Sequence, residues 1–134
     1  MTQPRIVWVN QEHQIAGARL VAKELAQQAG FSEISTAHLS TAVTELASNL
    51  FFHANNGGSI SLSVIDEENG VGIRVVSQDD GPGIPDVPLA MQDGYTTRSS
   101  MGGGLPGAER LMDEFEITSA AGTGTRIVAT KWKK

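Results

Sequence analysis

The stretch Ser59-Ile-Ser-Leu-Ser-Val-Ile-Asp-Glu-Glu-Asn-Gly-Val-Gly-Ile-Arg-Val-Val-Ser-Gln-Asp-Asp-Gly-Pro-Gly83 carries both the fold and the first hint of a site. From Ser59 to Asp66, Ile60, Leu62 and Val64 alternate with serines, the period-two pattern of a half-buried strand. Glu67-Glu68-Asn69-Gly70 turns the chain, and Val71 to Ser77 reads as the returning strand, so the segment predicts an antiparallel hairpin. Asp79-Asp80-Gly81-Pro82-Gly83 follows at once and puts a carboxylate at a strand end, aimed into whatever cleft lies there. An acceptor so placed suits an exocyclic amine such as that of adenine, and the glycines let backbone lie flat against a base. Alone, the same residues also make an ordinary turn.

Upstream, Arg5-Ile6-Val7-Trp8-Val9 predicts a short first strand. From about Gln11 to Ala29 the period becomes helical, with Ile15, Ala18, Ala22, Leu25, Ala26 and Ala29 on one side and Gly30 as the stop. A second helix is predicted from about Ser35 to Ala54, with Ser35 as N-cap and Leu39, Ala42, Val43, Leu46 and Leu50 on one face. Downstream, residues 78 to 104 are rich in Gly, Pro, Ser, Thr and Asp and too long for a simple connection. A third helix is expected near Leu105 to Glu114, then a last hairpin of Phe115 to Ser119 and Thr125 to Trp132 around Gly122-Thr-Gly-Thr125. This order predicts an α/β two-layer sandwich. Its sheet is mixed and mostly antiparallel, with the helices on one face and the long loop on the helical side.

Within the second helix, Glu45 and Asn49 lie one turn apart, ~40° from each other around the axis at the edge of the apolar stripe. A carboxylate and an amide oxygen presented together suit a hard cation such as Mg²⁺, whose remaining positions are filled by water and phosphate oxygens. By themselves the two are equally at home on a solvated helix face. Gly102-Gly103-Gly104 directly precedes the third helix, so its backbone N–H groups and the helix N-terminus predict an anion site suited to phosphate, with Pro106 in the first turn; a plain hinge is the other reading.

Composition narrows the classes. The 134 residues, 40% of them hydrophobic, suffice for one domain spanning 1–134 and not for two ordinary ones. A net charge of -5 argues against general nucleic-acid binding, and Lys131-Trp132-Lys133-Lys134, a basic cluster, reads as a solvated tail. With no cysteine, disulfides and thiolate metal sites are excluded. There is neither a bilayer-length apolar run nor a signal-peptide pattern, and the expected location is cytoplasmic, away from membranes. His13, His38 and His53 lack metal-ligand spacing, and Met91, Met101, Met112, Trp8 and Trp132 are expected to pack.

The ordered set Glu45-x-x-x-Asn49, Asp79-x-Gly-x-Gly83, Gly102-Gly-Gly104 and Gly122-Thr-Gly-Thr125 resembles the nucleotide-binding boxes of the GHKL superfamily, the Bergerat fold of gyrase, histidine kinases and MutL. Neither a P-loop nor a dinucleotide fingerprint is present. Within the superfamily the chain is similar to the RsbT-type serine/threonine switch kinases of the stressosome and partner-switching pathway, among the anti-sigma-factor kinases. The supporting residues are Thr41-Ala-Val-Thr-Glu-Leu-Ala47, Asp80-Gly-Pro-Gly-Ile84, Gln92-Asp-Gly-Tyr95, Gly104-Leu-Pro-Gly107 and Arg110-Leu-Met-Asp-Glu-Phe-Glu116. The similarity covers essentially the whole chain.

That resemblance implies ATP and Mg²⁺ as cofactors. It implies Asn49 as metal ligand, Glu45 as general base, Asp79 as reader of the adenine amine and Thr125 as its support. Gly81, Gly83, Gly102, Gly103, Gly104 and Leu105 would shape the pocket, residues 86 to 103 would form a short ATP lid, and Arg98 would meet the phosphates. Aligned on Gly102 and Gly104, Ser100 stands where the family commonly has glycine, and serine tolerates positive φ poorly. The implied substrate is a serine or threonine on a STAS-domain antagonist protein; the implied second partner is a PP2C-type phosphatase, within a larger stressosome assembly. Two other readings share the fold: an anti-sigma factor that sequesters a sigma factor, and a catalytically silent nucleotide binder.

Overall fold

The predicted hairpin is the centre of the sheet. In the computed structural model, which describes residues 3–54, 57–81, 91, 104–120, 122 and 124–133, β2 (Gly58–Glu67) pairs antiparallel with β3 (Gly70–Gln78), with Leu62 opposite Val75 and Ile60 opposite Ser77. β1 (Arg5–Val9) lies outside β2. β5 (Gly124–Trp132) lies along the far side of β3, and β4 (Glu114–Ala120) forms the other edge. The order is β1-β2-β3-β5-β4, antiparallel at every described pairing, the limiting form of the largely antiparallel sheet the sequence predicts.

α1 (His13–Gln28) begins with the Gln14 side-chain oxygen accepting from the Asn10 and Gln11 N–H groups. It ends at Gly30, φ +84°, where Phe31 N donates to Ala26 O and Gly30 N to Gln27 O, the paired bonds of a Schellman motif. α2 (Glu33–His53) starts earlier than predicted: Ser32 is the N-cap, and its hydroxyl accepts from the N–H of Ser35, the residue expected to cap. α2 lies under α1 and α3 (Gly104–Leu111) and over the sheet, which is why its buried set includes Thr36, Ser40, Thr44 and Ser48 as well as Leu39, Val43, Leu46 and Leu50. Thr44 resolves its burial by donating to Ser40 O at 2.7 Å. The core is these leucines and Val43 against Ile60, Leu62, Ile73, Val75, Ile127 and Ala129 from the sheet, joined by Met112, with Met91 packed at its edge.

Three expectations are corrected. The third helix stops at Leu111, not Glu114, because Asp113 N donates to Thr130 O at 2.9 Å and Glu114 enters the ladder opposite Thr130. Lys131 and Trp132 are not a solvated tail: both are buried in β5, and Lys131 Nζ donates to Leu111 O at 2.9 Å, placing a cation at the C-terminus of α3. Trp132 packs as expected, but Trp8 is 65% exposed on the sheet face that none of the described helices covers. Among the described residues no helix is long and apolar enough to cross a membrane.

Candidate functional site

Strand register sets one line of residues across the sheet. Val9 is opposite Gly58, and the β2–β3 register, continued one step past Gln78, puts Gly58 beside Asp79. Asp79 N donates to Thr125 O at 3.0 Å, and Thr125 is opposite Ser119. Val9, Gly58, Asp79, Thr125 and Ser119 thus form one row on the helix-facing side, sharing the parity of the buried Ile60, Val75 and Ile127.

The row holds Asp79 tightly because two of its neighbours lack side chains. A Cβ on Gly124, whose φ is +94°, would collide with the Asp79 carbonyl. A Cβ on Gly58 would come within 3.0 Å of Asp79 Cβ and 2.8 Å of Leu50 Cδ2 from α2. One Asp79 carboxylate oxygen accepts from Gly81 N at 2.8 Å, so the turn glycine orients the acid. Asp79, Ser119 and the 6%-exposed Thr125 line a pocket of about 150 Å³. A larger recess of about 400 Å³ lies on the opposite sheet face among Arg74, Arg126, Glu114 and Glu116, whose mixed charges select no ligand, and it is remote from Glu45.

Glu45 is 3% exposed on α2, and its Oε1 accepts from Gly104 N, the first residue of α3, at 3.1 Å. Gly104 has φ +68°. The first N–H of α3, at the helix end where the sequence suggests a phosphate site, is thus met by the Glu45 side-chain oxygen. Asn49 is half-buried one turn further along α2, and Leu105 is buried in the first turn of α3. The amide oxygen of Asn49 and the Glu45 carboxylate are hard donors. Among the described residues no group of three His, Cys, Asp or Glu is assembled to hold a metal alone. An amide oxygen and a carboxylate oxygen are of the donor chemistry that suits Mg²⁺, which takes one or two protein ligands and the phosphates of a nucleotide.

The structure brings together Asp79, Gly81 and Thr125 at the strand ends, and Glu45 with Gly104 between α2 and α3. Gly83, Arg98, Ser100, Gly102 and Gly103, and with them most of the predicted lid, lie outside the described residues. Sequence reasoning missed Gly58 and Ser119. Their signal is register: each falls opposite a named site residue once the strand pairs are aligned.

Residues 7–131 match the family described as the histidine kinase-like ATPase domain, and the chain belongs to that family. It is 39% identical over 132 residues, 98% of each chain, to the serine/threonine-protein kinase RsbT of Bacillus subtilis. It is 36% identical over 120 residues, 86% of this chain and 82% of the relative, to the anti-sigma F factor of Caldanaerobacter subterraneus subsp. tengcongensis. Among solved structures, the RsbU and RsbW domains of Rv1364c from Mycobacterium tuberculosis superpose with a TM-score of 0.68 at 19% identity, over 98% of this chain and 33% of that one, a likeness of fold.

Proposed function

We propose that the protein is an ATP- and Mg²⁺-dependent serine/threonine protein kinase, one domain over residues 1–134, acting in the cytoplasm on a STAS-domain antagonist protein. After release it binds and activates a PP2C-type phosphatase in a stressosome-linked partner switch. The observation that carries the reading is the buried Glu45 carboxylate bonded to the first N–H of α3, in a chain similar along its whole length to a serine/threonine kinase.

In this reading Asp79 accepts from the adenine amine while Gly81 N holds its other side, and Asn49 is the metal ligand. Glu45 takes the proton of the substrate hydroxyl as that oxygen bonds to the γ-phosphorus and ADP departs. Bound Mg²⁺ supplies charge neutralisation at the β- and γ-phosphate oxygens. The Gly104 N–H fixes the direction of the Glu45 carboxylate. Phosphorylation adds about 1.5 to 2 negative charges to the partner, a sufficient change to expel it from a fitted surface.

Transfer from labelled ATP to a STAS protein tests the assignment. Glu45→Gln keeps an acceptor oxygen for Gly104 N but is no base; transfer is expected to fall about 10²- to 10⁴-fold with ATP affinity held within about threefold by calorimetry. Transfer by the variant at the wild-type rate overturns the role of Glu45. The similarity to an anti-sigma F factor favours one competing function, sequestration of a sigma factor. A pull-down yielding sigma factor in place of a STAS protein and phosphatase would select it.

A further inference from the structure

The chain holds two Asn-Gly pairs, Asn56-Gly57 and Asn69-Gly70, and the fold treats their glycines differently. Asn69 is exposed in the turn between β2 and β3. Gly70 stands opposite Glu67 with φ +106°, and no described atom beyond its chain neighbours lies within 4 Å of the place of a Cβ. Such a φ calls for glycine, so the turn itself sets a residue without a side chain after an exposed carboxamide. Nothing then shields the Gly70 nitrogen from the Asn69 side chain. Gly57, in contrast, is buried, its N–H donates to Ala54 O at 3.3 Å, and a Cβ on it would overlap the Val9 carbonyl. Moving its nitrogen disturbs packed backbone, whereas an exposed turn opens at the low end of local unfolding free energies.

Independently of the nucleotide reading, we propose that Asn69 is a site of spontaneous covalent modification, at which the folded protein converts asparagine to aspartate and isoaspartate. The Gly70 nitrogen, having given its proton to a solvent base, forms a bond to Asn69 Cγ. The Cγ–Nδ2 bond breaks, the side-chain nitrogen leaves as ammonia, and a succinimide ring remains. Water then adds to one ring carbonyl and cleaves its bond to the ring nitrogen. Cleavage at Cγ gives aspartate on the original backbone; cleavage at the Asn69 backbone carbonyl gives isoaspartate, with the chain running through Cγ. Water is consumed, ammonia is released, and nothing is oxidised or reduced. The net charge becomes one unit more negative than -5. The new carboxylate arrives beside Glu67, which Arg74 meets at 3.4 Å, at the end of β3 remote from Asp79.

Incubation of the folded protein at mildly alkaline pH, followed by peptide mapping with mass spectrometry, tests this. The mass gain of an NH₂-to-OH exchange is expected at Asn69, in aspartyl and isoaspartyl peptides, well ahead of any gain at Asn56. Isoelectric focusing is expected to show a band shifted by one charge to the acidic side, and Asn69→Ser to lose it. In denaturant and the same buffer the two asparagines convert at similar rates. An Asn69 that stays unchanged in the folded protein over the time that converts it in denaturant overturns the inference, and so does an acidic band at full strength in Asn69→Ser. Asn56 converting as fast as Asn69 in the folded chain, or a lead of Asn69 that persists undiminished in denaturant, overturns the part assigned to the fold.

Discussion

The two ends of the sheet use glycine in opposite ways. Where β3 begins, Gly72 makes room for the Trp132 ring, whose Cε3 lies 2.6 Å from the place of a Cβ. The indole N–H donates to Glu114 at 2.9 Å and the Trp132 backbone N–H to Asp113 at 2.7 Å. That end is closed by side chains. At the other end, Gly58 and Gly124 make room for the Asp79 backbone and Cβ, and beside them remains a recess lined by a carboxylate and hydroxyls. The same absence of a side chain yields rigidity where a ring fills it and a site where only backbone approaches.

Substitutions can separate the two ends. The largest change in stability is expected from Trp132→Ala, about 3–5 kcal/mol, the usual cost of removing a buried aromatic. It is read by urea denaturation, with the ATP affinity of the folded protein unchanged; a parallel loss of affinity would break the division between the ends. Asp79→Asn reverses the pattern. Asparagine still accepts from Gly81 N, so stability moves little, while ATP affinity falls about 10- to 100-fold, the 1.5–3 kcal/mol of a hydrogen bond to a charged group. If calorimetry gave wild-type affinity, the open end would not be the base-reading end. The smallest effect belongs to Trp8→Ser. The two tryptophans occupy opposite corners of the sheet, and with Trp8 65% exposed a change within about 0.5 kcal/mol is expected. A loss as large as that at Trp132 would mean that the face away from the described helices is structural.

Local patterns carried most of the fold. Alternation at Ile60, Leu62 and Val64 located the central hairpin, and Gly30 marked the end of α1. Misreadings arose where two local signals were equal. Ser32 and Ser35 are both good caps three residues apart, and only the Ser32 hydroxyl meets an N–H. Arg5-Ile6-Val7-Trp8-Val9 is apolar on both strand faces, so its pattern does not say that Val7 and Val9 turn inward and Trp8 outward. Elsewhere tertiary pairing overrode propensity: Asp113 and Glu114 are drawn from a helix into contact with β5, and Lys131 is buried because the end of α3 supplies its partner. Glu45 and Asp79 were visible in sequence because their spacing and turn chemistry are local. Ser119 was not, since its meaning depends on a neighbour six residues away across a hairpin.

The row Val9, Gly58, Asp79, Thr125 and Ser119 makes the pocket a test of alignment for the entire sheet. A slip of one residue between any two strands reverses which side chains face the helices. Inserting a single residue within β3 ahead of Asp79 would send the carboxylate to the opposite face of the sheet, while the same residue added to the Glu68-Asn69 turn would alter only the length of a loop. Tolerance to insertion is therefore expected to change abruptly along the chain, with its boundaries at the strand ends and not at the distance from the pocket.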